Sequence, residues 1–222
     1  MKKLMLSIVF LGTVVTVFFA KAQSSREISI KAGVTFPSMS ASPKEGDFSY
    51  STSFFLGGNF DFYIGNILSL QTGLVFTGKG YNYIENGSTY SYNAKVSLIY
   101  VEVPINVLAH VKVGSGKVFF GTGSYYSVAI KGNENYTETG SFNGIVRNVS
   151  GNGEFEFGKG QDAVFKRGDY GLNFLTGYQL SNGLSINAGY SFSLRNLANE
   201  NNSEPGSKAK NKVFSVGLGF RF

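Results

Sequence analysis

The sequence predicts an all-β fold, an eight-stranded antiparallel up-and-down barrel that spans a membrane, and three observations carry that expectation. Glycine is abundant, at 29 of 222 residues, while charged residues fall to 15% against about 25% in ordinary soluble domains. Apolar residues alternate with small or polar ones at the period of two that sends successive side chains to opposite faces of a strand. Short Gly- and Asn-bearing turns take turns with long polar connections. The last stretch, "KVFSVGLGFRF", condenses the pattern: Phe214, Val216, Leu218, Phe220 and Phe222 share one face, and Ser215, Gly217, Gly219 and Arg221 the other. The chain then stops on its apolar face instead of fraying into polar residues.

The first 22 residues read as a signal peptide. Lys2 and Lys3 make a positive start, an apolar stretch covers 4–19, and Ala20-Lys21-Ala22 offers a small-x-small cleavage site. The barrel domain is then 23–222, beginning at Gln23; the alternative is an N-terminal membrane anchor. Loss of Lys2, Lys3 and Lys21 takes the formal charge from +6 to +3, which removes most of the basic character a nucleic-acid partner would need. There is no cysteine, so neither a lipidated cysteine nor a disulfide framework is available.

The strands follow in order. Residues 27–36 align Ile28, Ile30, Ala32, Val34 and Phe36. Residues 53–64 set Phe54, Leu56, Phe60, Phe62 and Ile64 against Asn59 and Asp61. Residues 68–83 oppose Leu68, Leu70, Leu74 and Phe76 to Ser69, Gln71 and Thr77. Residues 95–113 oppose Ile99, Val101, Val103, Ile105, Val107 and Ala109 to Tyr100, Glu102, Pro104, Asn106 and His110. Residues 118–131 put Phe120, Tyr126, Val128 and Ile130 opposite Gly121, Gly123 and Ser127. Residues 170–180 and 184–194 repeat the scheme, the latter most cleanly, and 212–222 complete an even count.

Tight turns are expected at 65–67, 114–116 and 181–183, and long loops at 37–50, 84–94, 132–169 and 195–211. Even strands with short turns at one end and long loops at the other are the pattern of an outer-membrane barrel, with both termini on the periplasmic side. Hydrocarbon offers no partner to a strand edge, so a spanning sheet must close on itself, with about 9–11 residues per strand. Tyr63, Tyr81, Tyr100, Tyr126, Tyr170, Tyr178 and Phe222 are candidates for the two interfacial aromatic girdles.

The stretches "ISIKAGVTFPSM", "LSLQTGLVFTGKGY", "LIYVEVPINVLAH", "RGDYGLNFLTGYQLSNGLSINAGYSFSLRNL" and "KNKVFSVGLGFRF" give the chain a resemblance to the PorT-like outer-membrane β-barrel family of Bacteroidota over nearly its whole mature length. The resemblance implies a small outer-membrane barrel. Some members of that family belong to a secretion apparatus. Phe220 and Phe222 resemble the terminal signal read by the barrel assembly machinery.

Chemistry is sparse. The one histidine, His110, has Ser115 nearby in sequence, but a nucleophilic site also needs an orienting group. "GSGK" at 114–117 lacks the preceding glycine and following hydroxyl of a phosphate loop and reads as a hairpin turn. One histidine and no cysteine give little for a metal, and Asp47, Glu134, Glu138, Glu154, Glu156 and Asp162 lack calcium-loop spacing. No cofactor and no enzymatic activity are expected.

Lys31, Asp61, Glu102 and Arg221 all fall on the inward face. Eight strands leave a bore that side chains just fill, and buried charges must pair. The four are therefore expected to form a lumen charge network that plugs the barrel; the alternative is a narrow ion path or gate. The expected partners are outer-membrane lipid, the barrel assembly machinery and a protein bound through the long loops, giving a structural or interaction role. The rivals are a lipid-modifying barrel enzyme and a secreted lipocalin-like barrel.

Overall fold

A computed structural model of the chain describes residues 26–43, 46–142, 145–154, 156–158, 163–199, 203 and 205–222. The expected signal peptide, 1–22, and Asp162 lie outside the described residues. Eight strands form the wall: β1 (Arg26–Ser42), β2 (Ser53–Ile64), β3 (Leu68–Asn86), β4 (Tyr90–Val113), β5 (Gly116–Phe142), β6 (Gly168–Gln179), β7 (Leu184–Ser193) and β8 (Lys208–Arg221). Each pairs antiparallel with the next, and β8 returns to β1, from Ser29 opposite Arg221 to Ser42 opposite Lys208. The ring is closed, so no edge of the barrel wall is left for hydrocarbon.

Alternation explains which face is which. Ile28, Phe54, Phe60, Ile105, Phe120 and Ile186 stand exposed on the outside, whereas Ser29, Asn59, Gln71, Asn106 and Ser127 are buried within. This inverts the soluble arrangement, with lipid as the solvent of the apolar face. The short turns hold glycines at left-handed φ, at Gly65 (71°), Gly114 (60°) and Gly183 (92°), where a β-carbon would be strained. "GSGK" is a hairpin turn between β4 and β5.

The strands outrun the predicted ones at the long-loop end. β1 continues to Ser42, β3 to Asn86 and β5 to Phe142, while β4 starts at Tyr90 and β8 at Lys208. Much of the expected loop 132–169 is therefore strand, with Ile145–Glu154 folding back antiparallel on β5. Asp47–Ser49 adds to β3, and Glu156–Phe157 pairs with Ala163–Phe165. The reason is physical: hydrophobic alternation marks only the part that meets lipid. Above it the strict alternation breaks down, and ladders rich in Tyr, Thr and Asn continue on cross-strand pairing.

Two interior features set the stage for the lumen. The Phe55 ring lies over paired glycines of β1 and β8: a β-carbon built on Gly217 would sit 2.4 Å from Phe55 Cζ and 2.5 Å from the Ala32 carbonyl oxygen. At the long-loop end a small apolar core of Met39, Phe165, Leu197, Ala198 and Ala209 forms inside the rim, with Phe48, Tyr81 and Phe157 packed on it. Beside it lie Val96, Leu98, Tyr100 and Ala129. Tyr63, Tyr81 and Tyr100 thus point inward and do not belong to the girdles, Tyr100 being wholly buried. Tyr100 shares the parity of inward Glu102, and parity outweighs position along the strand. Tyr126 and Tyr170 are outside and paired across β5 and β6; Phe222 is outside at the other end.

Candidate functional site: a filled lumen under an apolar cap

Three polar layers occupy the bore. At the short-turn end, Arg221 Nη1 donates to Glu27 Oε1 at 2.6 Å, and the Tyr63 hydroxyl donates to Glu27 Oε2 at 2.8 Å. Lys117 Nζ lies 3.5 Å from Glu27 Oε2 and bonds Tyr63 as well. One carboxylate therefore gathers two cations and a phenol, at half-buried positions where water still screens the charges.

The middle layer is held by amides. Gln71 Nε2 donates to Asp61 Oδ1 at 2.9 Å, and Lys31 Nζ donates to Gln71 Oε1 at 3.4 Å. Gln71 thus bridges the expected partners Lys31 and Asp61. Asn173 Nδ2 reaches Asn106 Oδ1 at 3.3 Å. A space of about 130 Å³ remains beside these groups.

The upper layer centres on Lys79, whose side chain is 1% exposed. Its Nζ lies 3.1 Å from Glu102 Oε2, 3.1 Å from Asp169 Oδ2 and 3.2 Å from Ser127 Oγ. The Glu102 contact is an ion pair without hydrogen-bond alignment, since Oε2 accepts no hydrogen bond from the described residues. The rings of Tyr125 and Tyr100 face the ammonium at 4.2 and 4.8 Å, within cation–π range. Asp169 also accepts from Asn211 Nδ2 at 3.1 Å, from the Tyr125 hydroxyl at 3.2 Å and from Ser193. A fully desolvated cation is tolerable only with such a complete shell.

Over this layer sits the apolar cap of Phe165, Leu197 and Ala198. The segment before β6 enters the mouth and is tied down by Lys166 N–H to the Leu197 carbonyl at 2.9 Å and Ala129 N–H to the Arg167 carbonyl at 2.9 Å. Polar side chains thus cross the bore at three levels beneath an apolar lid.

All four expected lumen residues face inward, but they do not meet in one network. Arg221 pairs with Glu27, Glu102 with Lys79, and Lys31 reaches Asp61 only through Gln71. Sequence reading missed Glu27, Lys79, Lys117 and Asp169. The signal was available: Lys79 shares parity with Gln71 and Thr77, and Asp169 with Gly171 and Asn173. Both lie where the hydrophobic alternation fades, Lys79 late in the expected strand 68–83 and Asp169 at the end of the expected loop 132–169.

A model of the outer membrane protein beta-barrel domain family matches residues 21–199. The chain belongs to that family. Its strands are those of an outer-membrane β-barrel, and no helix among the described residues is long and apolar enough to cross a membrane. No curated protein matches this barrel. Among solved structures it is similar to the attachment invasion locus protein Ail of Yersinia pestis, at 15% identity and a TM-score of 0.42, covering 88% of this chain and 98% of that one. Neisserial surface protein A is similar at 14% identity and 0.45, covering 90% and 100%. The outer membrane enzyme PagL is similar at 12% identity and 0.41, covering 86% and 98%.

The barrel's histidine has a serine partner that sequence distance hid. His110 Nε2 and Ser69 Oγ are 2.8 Å apart across β3 and β4, and Ser115 is not the partner. Both are buried in the lumen, with the imidazole 5.1 Å from the Tyr63 ring and its Nδ1 without a partner among the described residues. A nucleophile–base pair needs a third group on that nitrogen to fix the tautomer. No cluster among the described residues has the three or more His, Asp or Glu side chains that could hold a metal.

Proposed function

We propose that this barrel is a closed, non-enzymatic protein whose work is done by the surface at its long-loop end, facing outside the cell. The observation that carries the reading is the occupied bore. Ion-paired and hydrogen-bonded side chains fill it at three levels, and an apolar cap covers the upper one. A barrel so filled has no path to offer solutes, which leaves its outward surface. There β4, β5 and Ile145–Glu154 make a sheet above the lipid-facing zone, with Ile145, Val146 and Val149 exposed. An exposed strand bearing apolar residues suits a protein partner.

The PorT-like resemblance makes a Bacteroidota secretion apparatus the first place to look for that partner. Outer-membrane lipid covers the apolar wall, and Phe220 and Phe222 offer the assembly machinery its terminal signal. Planar-bilayer recording of the refolded chain tests the closed bore: no steady conductance is expected, and a stable open channel overturns it. Capture with the barrel from outer-membrane fractions, repeated after deletion of 133–154, tests the interaction surface. A second reading, lipid modification, rests on the Ser69–His110 pair. Because that pair faces the lumen, an unchanged lipid profile is expected for Ser69→Ala, and an altered one would favour the enzyme.

A further inference from the structure

A cavity of about 490 Å³ opens at the long-loop mouth beside the cap, within the range of roughly 300–1,000 Å³ typical of small-molecule sites. It is separate from the filled bore beneath it. Its floor is apolar and buried, made by Met39, Phe165, Ala198 and Ala209. Its wall is a run of rings. Phe48 lies 5.1 Å from both Tyr81 and Tyr83, and Tyr83 lies 6.2 Å from Tyr92. Two charged groups of opposite sign, Glu134 and Lys208, also line it.

The polar groups are poised. Glu134 Oε1 accepts the Tyr92 hydroxyl at 3.1 Å. Burial first, then the Glu134 carboxylate, push that hydroxyl up to about 12, so it stays a donor at any physiological pH. Among the described residues nothing bonds the Tyr81 hydroxyl, which borders the same space.

From this lining we infer a binding site for a neutral carbohydrate of about disaccharide size. A cation would meet Glu134 but also Lys208, and an anion the reverse. A neutral polyol instead donates hydroxyls to the carboxylate and to the Tyr92 oxygen, accepts from the ammonium and the Tyr81 hydroxyl, and lays its C–H face on the rings. The mixed lining asks for a ligand of that kind, since an oily molecule would cover the Glu134 carboxylate and leave it only the Tyr92 hydroxyl as a donor. The site stands independently of whether the bore conducts.

The test uses the refolded full mature chain in a detergent without a sugar headgroup, with folding verified by heat-modifiable gel mobility. Maltose, lactose and N,N′-diacetylchitobiose are titrated and read by saturation-transfer difference NMR, with choline chloride as the cationic comparison. Transfer to the ring protons of at least one sugar is expected, with none to choline. Glu134→Gln, which keeps shape and removes charge, should weaken that binding about tenfold, and Phe48→Ala should abolish it. No transfer to any of the three sugars, transfer to choline alone, or sugar binding indifferent to both substitutions overturns the inference.

Discussion

Replacing Lys79 with methionine removes one charge and keeps most of the side-chain volume, so it isolates the electrostatics of the upper layer. In the native barrel the ammonium lies 3.1 Å from two carboxylates, Glu102 and Asp169. The losses are unequal. Asp169 keeps Ser193, Asn211 and Tyr125 as donors, whereas Glu102 loses its one ion-pair partner among the described residues and is left 12% exposed. Breaking a buried pair by removing one partner costs about 3–5 kcal/mol, and two close carboxylates with no cation between them put Lys79→Met in that range. Adding Glu102→Gln removes the stranded charge and should recover about 1–3 kcal/mol, a non-additive response expected of residues in contact. Urea unfolding in lipid vesicles, followed by heat-modifiable mobility, measures both variants. A loss below about 1 kcal/mol for Lys79→Met, which is the size of an ordinary surface substitution, would refute the reasoning, as would strict additivity in the double variant.

Three further outcomes follow from the same geometry. Ile186 is 55% exposed on the lipid face, so Ile186→Arg should cost roughly 2–4 kcal/mol in vesicles, while Asn187→Ser on the inner face should cost far less; equal folding of Ile186→Arg and wild type contradicts the assignment. A β-carbon at Gly217 collides with the Phe55 ring and the Ala32 carbonyl, so Gly217→Ala should lose about 1–3 kcal/mol by overpacking, with part restored by Phe55→Leu in the same unfolding assay. Phe222 is 73% exposed and its N–H donates to the Ile28 carbonyl at 3.0 Å, a bond Phe222→Ala retains; assembly in cells should fall much more than refolding in detergent, and normal cellular assembly would remove the terminal-signal reading.

Parity made the barrel legible. Once Phe214, Val216 and Leu218 fix the outward set of one strand, the inward set is fixed with it, and Lys31, Asp61, Glu102 and Arg221 could all be placed inward from the sequence. What alternation does not carry is the rotation of strands around the bore. Whether Lys31 meets Asp61 or Gln71 depends on register, and register follows from turn length and closure, not from local pattern. The cap was hidden for another reason: Phe165 and Leu197 lie outside any periodic segment, and their burial depends on chain crossing the mouth. Ser69 and His110 are 41 positions apart, and only the β3–β4 ladder makes them neighbours.

Most pairings in the ring join consecutive strands, several through turns of a few residues, so they can form while the rest of the chain is still unstructured. The β1–β8 seam is different. The Arg221–Glu27 bond that bridges it joins positions 194 apart in sequence, as does the Phe222 N–H to Ile28 carbonyl bond beside it. Closing a loop of that size is entropically dearer than closing a hairpin, and long-range pairing slows folding. The seam should therefore be the last part of the wall to zip, and a growing sheet with two open edges its immediate precursor. A fluorophore pair at positions 27 and 221 would then act as a clock for completion, reporting contact only after the β4–β5 hairpin has long been protected from hydrogen exchange.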